Sequence, residues 1–469
     1  MNGSTQAACC EGYSMREYYK LASFTLFFAY LLSFPFEGQV LYCIADLYSY
    51  DVDILLFPSV CAHFLGLAGG WCFLPGSAAA RRAQPFLCLL SAVLTLPFFF
   101  VPSVLWLPCI AAASFTAGIV VASWGFTLRD DFPAIKRTMV CADILIYSNL
   151  MMIICGMAAV HISPQIGLVF SVASALAAAL LSALPLRTEE CPIELNTHER
   201  NTASLARPMT LLCLFVFIIT INSGFMYKVI NPSFAHLEYL ACWYWALPYI
   251  AALAVLRRPP RRFRRSWTLY VGMAMILLSF VLFMSAGRGA AAYLAVDTLM
   301  LGACGIFDLF WWSIAASVLD LAKNPARIFG GCLAANVLGV LAGGLIGVSM
   351  TSAGVSEHIV TVIALAVVCV TVGILPILNI RLLRLLGSHS FLLTYFGPAA
   401  QVSAAGYEVF AAKLTERERD VLRLLLSGKK NKDIGEELSL SESTVKFHVG
   451  NIYKKCGVNS RTELIVKLS

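Results

Sequence analysis

The chain has very little charge for its length. Only 13% of its 469 residues are Asp, Glu, Lys or Arg, while 59% are hydrophobic. Soluble domains carry about 25% charged and about 45–50% apolar residues, so this composition excludes a soluble globular protein over most of the chain. It indicates lipid as the solvent instead, because a helix satisfies its own backbone hydrogen bonds and can present an apolar surface to hydrocarbon.

The usual sequence marks of catalysis are also lacking. The chain has no Gly-rich nucleotide-binding loop, no metal-ligand cluster and no catalytic constellation. We therefore expect a protein that is not an enzyme and uses no cofactor or metal ion. An acidic phospho-acceptor domain is missing too, which argues against a conventional response regulator. Most of the sixteen cysteines lie within apolar runs, where they behave as small hydrophobic residues.

Apolar runs fill residues 20–380. Crossing a hydrocarbon core of about 30 Å takes about 20 apolar residues in a helix. No A-x-A-like cleavage site follows the first run, so we interpret it as a span and not as a signal peptide. The tenth run is long and contains several polar residues, which allows a tilted or broken helix. The predicted spans are 20–43, 54–74, 85–102, 105–127, 138–160, 164–185, 209–230, 238–256, 266–286, 290–319, 327–350 and 358–380.

Lys and Arg are distributed unevenly among the connections between spans. Counted from the first span, the even connections contain sixteen Lys and Arg residues, and the odd ones contain two, Lys228 and Arg288. Connections rich in Lys and Arg remain in the cytoplasm. The bias therefore predicts a multi-pass protein whose N- and C-termini are both cytoplasmic.

The longest polar connection, residues 187–208, divides the predicted spans six and six. This layout resembles the major facilitator architecture of secondary transporters over about residues 20–380. Members of that family commonly carry a Gly, then an Asp followed by basic residues, after the second span. Here Gly76, Arg81 and Arg82 are present and the Asp is absent. The resemblance implies the fold, and the missing Asp argues against active transport.

Ionisable side chains within spans are costly and usually face a cavity or a partner. In the major facilitator layout the first, fourth, seventh and tenth spans line the central cavity, which favours Glu37 and Asp308 as ligand contacts. The alternative is that these groups cap helices, bind backbone at a kink, or lie near the membrane interface. The candidate ligand-binding residues are Glu37, Asp143, Asp297, Asp308 and Trp311.

From Lys413 onward the composition is that of an ordinary soluble domain, with twelve Lys and Arg against eight Asp and Glu. The capping box of a helix N-terminus is Ser or Thr followed three residues later by Glu, and it occurs twice here. Together with two further capping residues it predicts four short helices. Their start signals are Thr415-x-x-Glu418, Asn431, Ser441 and Ser460-x-x-Glu463.

The third of these helices points to a function. Val445, Val449 and Ile452 have the spacing of one buried stripe, and the opposite face carries polar and basic residues. The helix follows a short helix, in which Gly435 allows close approach of a neighbour, and a tight turn at 439–441. This is the layout of a helix-turn-helix motif, whose second helix enters the major groove of DNA.

Residues 414–468 closely resemble the LuxR-type helix-turn-helix domain of bacterial regulators. The matching residues are Leu414, Thr415, Arg417, Glu418, Gly428, Asn431, Lys432, Ile434, Leu438, Ser441, Thr444, Val445, Lys446, His448, Asn451, Ile452, Lys455, Gly457 and Val458. The resemblance implies binding of double-stranded DNA as a homodimer. The alternative is a helical bundle with a solvated basic face.

The resemblance also assigns roles to individual residues. Lys446 and Phe447 occupy positions at which relatives touch base edges: Lys446 would donate to guanine and Phe447 would contact a thymine methyl group. Gly450 occupies a third such position and cannot reach a base, so we expect fewer direct contacts or more reliance on DNA shape. The candidate phosphate contacts are Lys432, Thr444, Asn451 and Lys455, and Lys454 lies on the same exposed face.

These features together predict an all-α protein. A cytoplasmic segment (1–19) precedes a polytopic bundle of about twelve spans in the bacterial cytoplasmic membrane (20–380). A linker (381–412) then leads to a four-helix LuxR-type DNA-binding domain (413–469). We favour a receptor in which a small molecule bound to the bundle controls DNA binding. A transporter with a regulatory DNA-binding tail and a membrane anchor without ligand sensing are the alternatives.

Overall fold

The fold is helical throughout the described chain. The computed structural model describes residues 13–36, 38–134, 136–184, 202–257, 268–356, 359, 362–374, 414–426, 431–438 and 440–456. All regular elements in these ranges are helices. They divide into two compact units, a bundle of long helices before residue 377 and a small domain after it. The predicted all-α fold class is confirmed.

The bundle contains fourteen described α-helices. They are α1 (Met15–Ser33), α2 (Gln39–Leu47), α3 (Asp53–Gly69), α4 (Ser77–Thr95), α5 (Trp106–Asp131), α6 (Arg137–His161), α7 (Pro164–Ala183), α8 (Thr202–Phe225), α9 (Glu238–Tyr244), α10 (Leu247–Arg257), α11 (Thr268–Ser285), α12 (Ala290–Ser317), α13 (Pro325–Ser352) and α14 (Val362–Ile374). In the described residues, nine helices are long and apolar enough to cross a membrane, and α10 and α14 are shorter apolar helices. Each predicted span coincides with one or two helices of this set.

The first predicted span is divided into two helices. α1 ends at Ser33 and α2 begins at Gln39. The break falls at Pro35, which has no backbone N–H to donate and disfavours helical geometry in the residue before it. The freed carbonyl oxygen of Pro35 accepts a hydrogen bond from the Ser59 hydroxyl. A side chain of α3 therefore stabilises the kink.

In two other spans the sequence does not correctly indicate whether the helix is continuous or broken. The tenth predicted span forms one unbroken helix, α12, of 28 residues, despite its polar side chains. The eighth is divided between α9 and α10, which begins at Leu247 immediately before Pro248. Proline is tolerated in the first turn of a helix but not in its interior, so a new helix begins there.

Close helix packing holds the bundle together. α8 and α13 pack tightly along their length. At Gly343 an added Cβ would lie 2.1 Å from the carbonyl oxygen of Ile221, so only glycine permits this approach, as is common between membrane helices. α13 also packs against α3 and α5, and α10 and α12 pack against α6. Helices that follow residue 201 therefore pack directly against helices that precede it.

Charged side chains concentrate at one end of the bundle. Arg16 and Arg81 both pair with Asp131 at the end of α5. Arg137, at the start of α6, pairs with Asp320, which follows α12. These residues come from the N-terminal segment and from connections that the Lys and Arg count assigns to the cytoplasm, and ion pairs bring them together.

The small domain contains α15 (Glu416–Leu426), α16 (Asn431–Leu438) and α17 (Glu442–Cys456). Its core includes Val421, Leu422, Ile434 and the predicted stripe of α17. Val445 and Ile452 are fully buried and Val449 nearly so. The predicted fourth helix, from Ser460, and the linker 381–412 lie outside the described residues.

Candidate functional site

The exposed face of α17 is the candidate DNA-binding surface. The buried stripe fixes the rotation of this helix, so Lys446, Phe447 and Gly450 all point away from the core. The Phe447 ring is 66% exposed. The ring is therefore accessible to a partner. Its neighbour His448 is half-buried and contacts the Phe447 ring edge.

Lys446 and Thr444 already have partners within the domain. The Lys446 ammonium lies 2.8 Å from the Glu442 carboxylate, one helical turn away. An exposed pair of this kind contributes little stability, so DNA can displace it at small cost. The Ser441 hydroxyl accepts from the Thr444 backbone N–H at 3.1 Å, which confirms the predicted cap, and it also bonds the Thr444 hydroxyl.

Lys455, a candidate phosphate contact, is tied to the start of α15. Its ammonium donates to the buried Glu418 carboxylate at 2.6 Å. Glu418 also accepts from the Thr415 backbone N–H at 2.8 Å, and its own N–H donates to the Thr415 hydroxyl, so the predicted capping box is confirmed. Burial alone would raise the pKa of Glu418, but the hydrogen bonds from Lys455 and Thr415 outweigh it and lower the pKa.

This lowered pKa predicts how the stability of the domain depends on pH. Since the carboxylate is favoured by folding, its contribution is complete above the unfolded pKa of about 4.3 and is lost as the pH falls through the folded value. We expect Glu418→Gln in a 400–469 fragment to lower the unfolding free energy at pH 7 by about 0.5–1 kcal/mol, because Lys455 is partly screened by solvent. Denaturant unfolding of wild type and Glu418→Gln at pH 7 and pH 3 measures this loss of unfolding free energy.

The control is Glu416→Gln, which removes an exposed carboxylate from the same first turn. The difference between wild type and Glu418→Gln should shrink at pH 3. A difference that stays constant from pH 7 to pH 3 would contradict the ion-pair assignment.

Gly450 is exposed on α17 and is not required by packing. A Cβ added there meets no atom within 4 Å. Because glycine in an exposed helix interior is about 1 kcal/mol less favourable than alanine, we expect Gly450→Ala to raise the unfolding free energy of the fragment by about 0.5–1 kcal/mol. Base discrimination should be unchanged, since neither side chain reaches a base.

Gly435 provides the opposite control. A Cβ at this position of α16 would lie 2.7 Å from the Leu440 carbonyl oxygen in the turn, which confirms the predicted close approach. Gly435→Ala should therefore destabilise the fragment by about 1–3 kcal/mol. Equal effects of the two substitutions would refute this account of the turn.

The remaining candidate DNA contacts lie on the described helices. Asn451 is half-buried on α17 and Lys454 is exposed near its end. Lys432 lies in the first turn of α16, and its side chain is outside the described part. The candidate DNA contacts on α16 and α17 thus belong to one small folded domain, as a helix-turn-helix requires.

The bundle contains a second candidate site, a cavity of about 150 Å³. Helices from before and after the central connection line it together, including α3, α6, α8 and α12. Most of the lining is aromatic or aliphatic, with a few polar groups, which is the usual composition of a small-molecule site. Its polar members include His63, Asn149, Thr220, Asn222, Ser223, Asp308 and Asn336.

Asp308 lines this cavity, and two side chains orient it. The Tyr249 hydroxyl donates to Oδ2 at 2.9 Å and the Trp311 indole N–H donates to Oδ1 at 3.1 Å. Trp311 itself is fully buried and lies behind the carboxylate, while Trp312 faces the cavity. Of the two predicted ligand contacts, Asp308 lines the cavity and Trp311 does not, and ligand binding by either stays a prediction.

The other predicted ligand contacts lie elsewhere. Asp143 forms an ion pair with Arg257 at the end of α10, and the Tyr13 hydroxyl donates to it at 2.5 Å. Asp297 is buried on α12 outside the cavity lining, with no described partner for its Oδ2 atom. Glu37 lies outside the described residues. Sequence reasoning missed His63 and Asn222, although a polar side chain within an apolar run is a usable signal.

Comparisons with known proteins identify relatives of the small domain and structural neighbours of the bundle. The family model of bacterial regulatory proteins of the luxR family (GerE) matches residues 412–468. The chain is 46% identical over 55 residues to the spore germination protein GerE of Bacillus subtilis (strain 168), covering 12% of this chain and 74% of GerE. It is 52% identical over 54 residues to the transcriptional regulatory protein DegU of Brevibacillus brevis, covering 12% and 23%. The nitrate/nitrite response regulator protein NarL of Escherichia coli (strain K12) is 48% identical over 54 residues, covering 12% and 25%.

The match therefore spans about a quarter of the length of DegU and NarL. The bundle has different structural neighbours. The human organic anion transporter MFSD10 (TETRAN) has a TM-score of 0.53 at 13% identity, over 78% of this chain and 97% of that one. A bacterial homologue of the iron transporter ferroportin in the outward-facing state gives 0.53 at 14% identity, over 78% and 98%.

Identities this low establish only the fold of the bundle, which is that of these transporters. The helix-turn-helix, in contrast, shares sequence as well as fold with its relatives. Through this domain the chain belongs to the luxR family of bacterial regulatory proteins, with a DNA-binding domain joined to a major-facilitator-like membrane bundle.

Proposed function

We propose that this protein is a membrane-bound transcriptional regulator whose DNA binding is controlled by a small molecule in the cavity of the bundle. It spans the bacterial cytoplasmic membrane with both termini in the cytoplasm and binds DNA as a homodimer. The observation that carries the proposal is that one chain contains both a luxR-family helix-turn-helix and a bundle with a partly polar cavity.

The cytoplasmic location of the DNA-binding domain is supported by two independent features. The Lys and Arg count assigns the even connections to the cytoplasm. The ion pairs of Asp131 and Asp320 hold members of this same set together at one end of the bundle. A DNA-binding domain works only on the side of the membrane where the chromosome lies, which agrees with this orientation.

Control by a ligand is supported by the construction of the cavity. Its lining comes from helices on both sides of the central connection. A ligand in the cavity contacts helices of both halves of the bundle. If it binds one relative arrangement of the two halves more tightly than another, it shifts the equilibrium toward that arrangement. A membrane anchor would need one span and no cavity.

Transport is the second candidate function. The structural neighbours are described as an organic anion transporter and a homologue of an iron transporter, and the bundle shares their fold. The connection after α3 lacks the Asp that major facilitators commonly carry there. We therefore rank sensing above transport.

Chromatin capture with the full-length protein tests the proposal. Capture is compared among wild type, Ala246→Phe, which fills the cavity, and a form in which one unrelated span replaces the bundle. We expect capture by wild type to change when cell extracts are added, and capture by the other two forms not to respond. Equal, extract-independent capture by all three would favour the anchor. Uptake of a labelled compound into vesicles would favour transport.

A further inference from the structure

Three residues that line the cavity, Asn222, His63 and Asp308, offer hydrogen-bond acceptors. Asn222 is 1% exposed and lines the cavity, and its Oδ1 atom has no hydrogen-bond partner among the described residues. Its amide group is held by a hydrogen bond from Nδ2 to the Ile219 carbonyl oxygen. A buried acceptor without a partner is unfavourable, so a ligand that donates a hydrogen bond is stabilised there.

His63 adds a second acceptor. Its Nδ1 atom lies 3.1 Å from the Ser114 carbonyl oxygen. Because a carbonyl oxygen only accepts, Nδ1 carries the proton, and in the neutral ring Nε2 is then an acceptor. His63 is one of the residues that line the cavity.

Asp308 supplies the charge. Tyr249 and Trp311 are neutral donors that occupy two of its acceptor sites, and a carboxylate has about four. The described lining contains Asp308 as its one carboxylate, and it contains neither Lys nor Arg. A carboxylate removed from water without a cation is costly, so the cavity favours a ligand that brings the positive charge.

The remaining lining defines the body of the ligand. Phe28, Phe307 and Trp312 are among the aromatic residues around the cavity. Their faces attract cations and their surfaces exclude water. The volume of about 150 Å³ is similar to that of an engineered protein cavity that binds benzene. A single ring or a short chain therefore fits.

We propose that the cavity binds a small primary organic amine, with its ammonium group at Asp308 and its apolar or aromatic body against the aromatic lining. An ammonium donates three hydrogen bonds, and acceptors for them are available at residues that line the same cavity, namely Asp308, Asn222 and His63. This inference rests on the proposed function in that it treats the cavity as the sensory site, and it names the chemical class that the site recognises.

The test uses the full-length protein in lipid nanodiscs and three pairs of probes of matched shape. They are 2-phenylethylamine with 2-phenylethanol, hexylamine with hexanol, and cyclohexylamine with cyclohexanol, and phenylacetate provides an anion. Calorimetric titration at pH 7 gives the dissociation constants. Because a hydrogen bond to a charged group is worth about tenfold or more in affinity, we expect at least one amine to bind at least tenfold more tightly than its alcohol, and phenylacetate to bind least.

Variants locate the preference. Asp308→Asn should reduce the amine-to-alcohol ratio to about one, and Asp308→Glu should keep part of it. Asp297→Asn is the matched control, because it removes a buried carboxylate from the same helix outside the lining and should leave the ratio unchanged. The melting temperature of each variant establishes that it is folded, and the wild-type series tests the inference without any variant.

The inference is overturned if no amine binds more tightly than its alcohol, or if the preference survives in Asp308→Asn. Its failure is distinct from failure of the proposed function. An amine that binds without changing chromatin capture would refute ligand control and leave the ligand class standing. Chromatin capture that responds to extract, by a protein that shows no preference for amines, would refute the ligand class and leave ligand control standing.

Discussion

Replacing Lys446 with alanine is expected to reduce the discrimination between a specific site and random DNA. Lys446 is exposed on the outer face of α17, where its one described ion-pair partner is Glu442 on the same exposed face. A side chain that donates to a guanine edge contributes about 1–3 kcal/mol of discrimination, which is about five- to 150-fold in the ratio of affinities. Binding of a 400–469 fragment to a selected operator and to random DNA, at one fixed salt concentration, measures this ratio.

Lys454→Ala is the matched control. Lys454 is also exposed on α17, but we expect it to face phosphate, which carries no sequence information. Its loss should weaken binding to all sequences similarly and reduce the dependence on salt by about one ion. If Lys446→Ala has the same uniform effect as Lys454→Ala, α17 does not read bases through Lys446.

Replacing Arg137 with alanine is expected to destabilise the bundle strongly. Arg137 is 3% exposed. Its guanidinium donates to both oxygens of Asp320, at 2.8 and 2.9 Å, and to the Ala316 carbonyl oxygen. It also donates to the last carbonyl oxygens of α5 and to the residue that follows the helix, at Leu128, Arg129 and Phe132.

This one side chain therefore joins α5 and α6 to the end of α12. Its removal leaves several buried carbonyl oxygens without a donor, so we expect a loss of about 2–4 kcal/mol in unfolding free energy, discounted because Asp320 is about half exposed. Denaturant unfolding of the purified protein in detergent measures the loss.

Asp320→Asn separates the ion pair from the backbone contacts. It removes the charge and leaves the carbonyl oxygens their donor, so it should cost about 1 kcal/mol or less. If Arg137→Ala costs no more than Asp320→Asn, the contacts to the carbonyl oxygens contribute nothing.

Sequence patterns predicted the elements well where local physics decides them. The capping box of Thr415 and Glu418, the cap at Ser441 and the buried stripe of α17 all depend on residues within one or two turns of each other. Each is present as predicted. The positions of the membrane helices follow in the same way from the length of the apolar runs.

The pairing of side chains from different helices depends on tertiary contacts, which sequence patterns do not reveal. No local signal joins Asp143 to Arg257, because the two residues are 114 positions apart. An isolated acid in an apolar run marks Asp308 in the sequence, but Tyr249, which donates to it, and Asn222, which lines the same cavity, come from other helices. The break of the first span has a local cause, Pro35, but the length of the apolar run predicted one continuous helix.

The most direct measurement of the central claim is sequencing of DNA captured from washed membranes. Cells that express the full-length protein are crosslinked, the membranes are isolated and stripped of peripheral proteins, and the DNA bound to the intact chain is sequenced. The account predicts enrichment of a few specific loci that disappears in Lys446→Ala. DNA with no such enrichment, or enrichment found only with a soluble C-terminal fragment, would contradict it.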